Sequence, residues 1–449
     1  MHFYTQASKS IQLGNKIPGG KGGEGQVYHV VGQPQLLAKI YHDGMAEARR
    51  EKIDSICAAG LYRYSRRNAF PIESLRDSQN RFRGFTMQRL SVGGEIHELY
   101  SARDRQAHFP NASTKFMVRT AANLARCVVE LHSNSVVIGD INESGIFVDK
   151  KDALVHLVDC DSFQISVNGK IFPCMCMAPQ YQPPEILQAR MPGQLIRSPN
   201  HDAFGLAVMI FRLLMAGRHP FLGRWCGAGD PPSEIEMISA FRYAYGDTAP
   251  LLNVSPPLGS PPVRLLSVPL RLAFERAFGP NGVHARPLPS EWVGLIDGFE
   301  KELKRCALSP LHDYHRDLTE CPWCTIEQNL SFSSKSAGKT SSQWKTKQSS
   351  HQGKSGYAYG SSTHSISPST SIDHARIIKT VIQSSAIGGS IAVVPCALLW
   401  MIAPLACGNR CSEFAWMHYD GAGVFFGLTV FISLFFLAFY LLVLQVKKL

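Results

Sequence analysis

Three pieces of one stretch decide the fold: Leu131-His132-Ser133-Asn134-Ser135-Val136-Val137-Ile138-Gly139-Asp140-Ile141-Asn142, then Ile146-Phe147-Val148, then Leu154-Val155-His156-Leu157-Val158-Asp159-Cys160-Asp161-Ser162-Phe163. The residues ahead of them, Thr114 to His132, carry helical apolar spacing, whereas Ile146 to Val148 and Leu154 to Val158 read as short strands joined by a hairpin. Asp140 therefore falls on a loop between a helix and a hairpin. Asp159 and Asp161 fall at the hairpin's exit. Alternation in the second strand places Val155 and Leu157 on one face and carries that face on to Asp159. The same alternation makes Asp161 a carboxylate where an apolar residue is expected, so Asp159 is preferred for chemistry and Asp161 is retained beside it.

Upstream, Gly20 to Val27 reads G-K-G-G-E-G-Q-V, which fits G-x-G-x-x-G-x-V through Gly20, Gly22, Gly25 and Val27. Glycines at those spacings let backbone amides approach a polyphosphate without obstruction. The flanks are strand, loop, strand, which disfavours a Rossmann site, and no G-K-[ST] follows, which disfavours a Walker loop. A glycine-rich hairpin covering a nucleotide remains. One short strand later, Leu36-Leu37-Ala38-Lys39-Ile40 interrupts an apolar run with a single lysine, placed to hold phosphate oxygens. A plain hairpin turn and a solvent-facing lysine are the bland readings of the same residues.

Together these residues resemble the protein-kinase fold of bacterial Ser/Thr kinases of the Hanks type. Later landmarks agree: Pro183-Pro184-Glu185 resembles the A-P-E element, and Asp202-Ala203-Phe204-Gly205, followed by Met215 to Phe221, resembles the family's long buried helix and its exit. Arg286 resembles the late arginine that pairs with the A-P-E glutamate, here Glu185. The resemblance implies a bilobed α+β domain over 13–303, with an N-lobe over about 13–90 and a C-lobe over about 91–303. It further implies ATP, Mg²⁺ or Mn²⁺, a protein substrate, Asp140 as acceptor of the hydroxyl proton, and Asp159 or Asp161 on the metal.

The departures bear on activity. Ile138-Gly139-Asp140 lacks the His and Arg of H-R-D, which argues against control by an activation-loop phosphate. Gly145 stands where the second-metal asparagine belongs, with Asn142 and Glu143 the nearest substitutes. Glu47 and Glu51 share one face of the Met45 to Ile56 helix, and Glu51 is preferred as the partner of Lys39. Gly145 also supports a runner-up reading, a pseudokinase acting as a membrane-localised nucleotide-binding or docking platform.

Behind this region, Cys306, His312, His315 and the turn Cys321-Pro322-Trp323-Cys324 have the spacing of a structural Zn²⁺ site over 304–328, with His312 the preferred fourth ligand. The arrangement resembles the C-terminal knuckle behind some bacterial kinases, whose partners include a PP2C-like phosphatase and a von Willebrand A domain protein. Residues 329–375 read as a flexible basic linker rich in Ser and Lys. In 376–449, the runs Val381 to Ala406 and Gly421 to Val446 hold no charged residue or His, and each exceeds the roughly 20 residues that cross a bilayer. Arg376 and Lys379 before the pair and Lys447 and Lys448 after it predict a two-helix hairpin in the inner membrane, with the kinase region and both termini cytoplasmic.

At 449 residues with 45% hydrophobic and 18% charged residues, the chain is neither a single small module nor largely disordered. A net charge of +11 suits polyphosphate, nucleic acid or an anionic membrane surface, but the linker lacks interleaved aromatics, so no specific nucleic-acid partner is expected. The 12 cysteines do not form an evenly spaced framework, and the start MHFYTQASKSIQLGNK lacks a basic segment followed by an apolar run. Reduced thiols and no cleavable signal peptide are the expectation.

Overall fold

Six antiparallel strands, β1 (His2–Thr5), β2 (Ser10–Lys21), β3 (Gly25–Val30), β4 (Leu36–Tyr41), β5 (Pro71–Arg76) and β6 (Phe82–Gln88), close into a barrel in the order β1-β2-β3-β4-β6-β5. The computed structural model describes residues 1–91, 93–191 and 195–328; the linker and the two apolar runs lie outside the described residues. Among the described residues no helix is long and apolar enough to cross a membrane. Strand β1 precedes residue 13, the expected start of the domain, and closes the barrel by pairing with both β2 and β5. Alternate side chains fill the interior: Phe3, Ile11, Leu13, Tyr28, Val30, Ala38, Ile40 and Leu75 form its core. Two glycines let the neighbours clasp β4. A Cβ on Gly25 would come 2.5 Å from the Ile40 carbonyl oxygen, and one on Gly84 would come 2.0 Å from that of Lys39.

Helix α1 (Ala46–Ala59) follows β4 and packs against β5 and β6. The second lobe is mainly helical: α2 (Ala102–His108), α3 (Thr114–Ser133), α4 (Pro184–Leu187), α5 (Pro199–Leu214), α6 (Glu234–Ser239), α7 (Val268–Phe278), α8 (Gly282–Ala285) and α9 (Pro289–Lys301). Its small strands include β7 (Gly94–Glu95), β8 (Val136–Val137), β9 (Ile146–Val148), β10 (Val155–Leu157), β11 (Gln164–Val167) and β12 (Lys170–Phe172), which pair as β10-β9-β7 and β12-β11-β8. Helix α5 opens on a capping Ser198 with Pro199 at its first position, and nearly all its residues are buried. Around it Phe204, Phe211, Phe221, Phe274 and Phe278 meet edge-on or stacked, and Phe274 packs on Trp292 at 4.8 Å between centroids.

The chain after α9 folds back as an antiparallel pair, Leu303–Arg305 with Asp313–His315, and ends in a helical turn over 322–328. It caps α3. Thr114 N–H donates to the Leu311 carbonyl at 2.9 Å, Lys115 N–H to the Asp313 carboxylate at 3.3 Å, and the Trp323 indole N–H to the Asp313 carbonyl at 3.0 Å.

One ion pair ties α4 to the core of this lobe. Arg286, whose side chain is fully buried, grips Glu185 through two parallel bonds of 2.6 and 2.9 Å. Removing one partner strands the other charge. Arg286→Ala is expected to lower the unfolding free energy by about 3–5 kcal/mol. Urea unfolding followed by circular dichroism checks this; a loss no larger than that of an exposed arginine would show the pair to be dispensable.

Candidate active site

Strand β4 turns Lys39 away from solvent, and the ammonium meets two carboxylates. Nζ lies 3.0 and 2.9 Å from the two oxygens of Asp161 and 3.1 Å from Oδ1 of Asp159. Tyr41, two residues along the same strand face, donates its hydroxyl to Asp161 Oδ2 at 2.8 Å. Burial alone would lower the lysine, but Asp161 and Asp159 outweigh it and hold the ammonium above its ordinary value. Burial likewise pushes Asp161 up, and Lys39 and the Tyr41 hydroxyl reverse it, so this carboxylate stays ionised below its usual range.

The aspartates differ in a way that strand alternation did not foresee. Strand β10 ends at Leu157, and Asp159 then adopts a left-handed backbone with φ of 55°, so the period of two no longer applies. Asp161 ends up inside, its side chain 2% exposed, while that of Asp159 is 65% exposed and open to the cleft. Both carboxylates remain near Lys39.

Asp140 sits on the loop after β8, and that loop is held from below. Buried Asp202 of α5 accepts the Ile138 and Gly139 N–H groups, each at 2.7 Å, and the His132 ring at 2.9 Å. Gly139 has φ of 77°, and a Cβ there would strike Cys174 at 2.6 Å, so the position excludes the arginine of H-R-D on two counts. An arginine reaches the loop from elsewhere in the chain. Arg197, buried, donates to the Gly139 carbonyl and to the Gln182 side chain. The Asp140 carboxylate accepts the Ala178 N–H at 2.8 Å, and burial holds it above the ordinary carboxylate value despite that bond.

Two expectations fail. Glu51 points outward and pairs with Lys170, and Glu47 pairs with Arg50 within its own helix, so neither reaches Lys39. The face of α1 turned to the site instead presents Lys52, which donates to the carbonyls of Ser162 at 3.0 Å and Pro173 at 3.4 Å. Burial lowers this lysine to about 8. Glu143, one of the two candidates to replace the second-metal asparagine, is engaged with Arg212 at 2.8 Å and the Tyr181 hydroxyl at 2.7 Å. Asn142 remains beside Asp140, its amide donating to the Asp140 carbonyl at 3.0 Å. At Gly145 a Cβ would meet only the Val158 carbonyl, at 3.7 Å, so a side chain has room there and the glycine is not forced by crowding.

Gly20 lies at the end of β2, Gly22 in the turn that follows, and Gly25 and Val27 on β3, in the strand, turn, strand order expected of the glycine loop. Gly22 N–H closes the turn on the Gly25 carbonyl at 3.0 Å. Glu24 at its tip pairs with Arg49 of α1, which fixes the loop to the helix. Sequence reading missed Tyr41, Lys52, Arg49 and Arg197. Only Tyr41 carried a local signal, being one strand repeat from Lys39.

Residues 72–227 match the family model of the protein kinase domain. The fold around them is kinase-like. The protein kinase YegI from Escherichia coli is 33% identical over 327 residues, which are 72% of this chain and 50% of YegI. A second Escherichia coli YegI gives the same identity over 328 residues. The cAMP-dependent protein kinase catalytic subunit of Dictyostelium discoideum is 28% identical over 131 residues, 29% of this chain and 18% of that one. Among solved structures, the autoinhibited serine kinase domain of the giant muscle protein titin aligns over 66% of this chain and 82% of its own, with 18% identity and a TM-score of 0.48. The chain spans about half the length of the YegI proteins it matches.

Behind the kinase-like fold, Cys306, His312, Cys321 and Cys324 bring one ligand atom each to within 4.8 Å of one another. Two tetrahedral Zn–S bonds put sulfurs about 3.8 Å apart, and a Zn–S and a Zn–N bond put the two atoms about 3.6 Å apart. The cage has those edges: 3.6 Å between the Cys306 and Cys324 sulfurs, and 3.8 and 3.5 Å from His312 Nδ1 to those of Cys321 and Cys324. The other ring nitrogen of His312 meets Glu327 at 3.0 Å, the kind of outer partner that fixes a ligating tautomer. His315 turns away, stacking on Phe299 and meeting Glu302.

Elemental analysis of protein purified without chelator is expected to find about one zinc per chain. Cys321→Ser should lose it, with a fall in melting temperature matched by chelating the wild-type protein. Metal-free wild-type protein with an unchanged melting temperature would contradict the site.

Proposed function

We propose that this chain transfers the γ-phosphoryl group of ATP to a Ser or Thr hydroxyl of a protein. The observation that carries this reading is the convergence of Lys39 on Asp159 and Asp161, at 3.1 and 2.9 Å, across the cleft from a braced and half-buried Asp140. Asp140 takes the hydroxyl proton as the oxygen attacks, Lys39 holds phosphate oxygens, and the glycine loop's amides cover them. Mg²⁺ or Mn²⁺, when held at this pair of aspartates by one or the other, would supply charge neutralisation of the phosphates. Gly145 supplies no second-metal ligand, which fits a slow enzyme.

The remaining parts of the reading concern placement. We assign the cage behind the kinase domain to a structural Zn²⁺, and the apolar runs at 381–406 and 421–446 to an inner-membrane hairpin that keeps the domain beside cytoplasmic ATP. A PP2C-like phosphatase and a von Willebrand A domain protein are the partners that the knuckle's resemblance suggests. The docking-platform alternative rests on Gly145 alone.

Transfer of labelled γ-phosphate by the full-length chain, to itself or to a basic protein, tests the enzyme reading. Asp140→Asn should cost about 10²–10⁴-fold, and Lys39→Met should leave no detectable transfer. No transfer by wild-type protein, with no nucleotide-induced rise in melting temperature, would favour the docking platform.

The pH profile follows from the burial of Asp140. The base must be ionised to act, and its pKa lies above the ordinary carboxylate value, so kcat/KM should fall with acid at a pH higher than an exposed aspartate would give. An acid limb at or below the exposed-aspartate value would exclude Asp140 as the base.

A further inference from the structure

We propose that the two aspartates divide the work: Asp161 is the positioning residue that holds Lys39, in place of a glutamate from α1, and Asp159 alone of the pair is left to bind the divalent cation. The assignment rests on the nucleotide-binding reading above.

The carboxylates of α1 are spoken for. Glu47 and Glu51 pair outward with Arg50 and Lys170, and Asp54 pairs with Arg76 while accepting the Ser74 hydroxyl. The wall that α1 turns toward the site carries Lys52, aimed at two backbone carbonyls. A glutamate there would face those oxygens and Asp161 besides, so the helix is built to exclude the usual partner of such a lysine.

Asp161 fills the gap. Both its oxygens lie on the Lys39 ammonium, Tyr41 donates to one of them, and its side chain is almost wholly buried. A cation would have to displace these donors from a closed site. Asp159 gives Lys39 a single oxygen at 3.1 Å and keeps its other oxygen free in the open cleft. Asp159 is the exposed member of the pair, and its unshared oxygen is the one a cation can reach.

The arrangement changes what α1 does. In the usual scheme, swinging the helix makes or breaks the lysine's ion pair. Here Lys39, Tyr41 and Asp161 form the pair without any α1 side chain. Lys52 instead fastens the helix to the backbone on either side of β11 and β12.

The test measures binding of a fluorescent ATP analogue by the full-length chain, in excess EDTA and in excess Mg²⁺. Asp161→Asn is expected to weaken binding by about tenfold or more in both conditions while keeping the gain from Mg²⁺. Asp159→Asn is expected to bind as wild type in EDTA and to lose the gain from Mg²⁺. Tyr41→Phe, which removes one donor and no charge, should reproduce the Asp161→Asn pattern weakly, and its melting temperature shows that the fold survives. Glu51→Gln should match wild type in both conditions. Loss of the Mg²⁺ gain in Asp161→Asn with unchanged EDTA binding, or weakening by Glu51→Gln equal to that of Asp161→Asn, would overturn the assignment while leaving the kinase reading intact. A wild-type chain that binds no nucleotide would overturn both.

Discussion

An ammonium taken out of water must be met by negative charge, and the cleft is organised around that requirement at Lys39. The strand carrying it lies between β3 and β6, and only glycine at positions 25 and 84 lets those strands come close enough to hold it. Once Lys39 is buried, Asp161 must come with it, and the turn after β10 has to bend through a left-handed residue at Asp159 to deliver that carboxylate. The same bend leaves Asp159 facing the cleft. One desolvated cation thus fixes the ends of two strands that lie 120 residues apart in sequence.

The opposite wall is held through the backbone of its loop, which charged side chains grip. Asp202, carried on a helix with nearly no solvent-facing residue, accepts two consecutive N–H groups of the catalytic loop, and His132 at the end of α3 completes it. Arg197 reaches in from the segment ahead of α5 to take the Gly139 carbonyl, so an arginine absent from the loop itself is supplied to it from elsewhere in the chain.

Much of this was legible in the chain. The order glycine hairpin, lysine strand, catalytic loop, aspartate hairpin, P-P-E and late arginine is a linear pattern, and each member is marked by residue types that few other contexts require. The Cys and His spacing behind the kinase-like fold was readable for the same reason, since a four-ligand cage constrains sequence strongly. The orientations of the acids were not readable. Glu51 and Lys52 are adjacent on one helix, and propensity cannot say which of them turns inward; that is set by the Ser162 and Pro173 carbonyls that Lys52 meets. Asp159 and Asp161 share a parity, and the left-handed turn between strand and loop that separates them has no signature in D-C-D.

Helix α3 has a further consequence. Its 20 residues make a strut about 30 Å long. One foot stands in the cysteine knuckle through Leu311 and Asp313, and the head carries His132 against Asp202. The knuckle and the loop that bears Asp140 are therefore joined by one rod. The knuckle is the bearing on which that rod is seated.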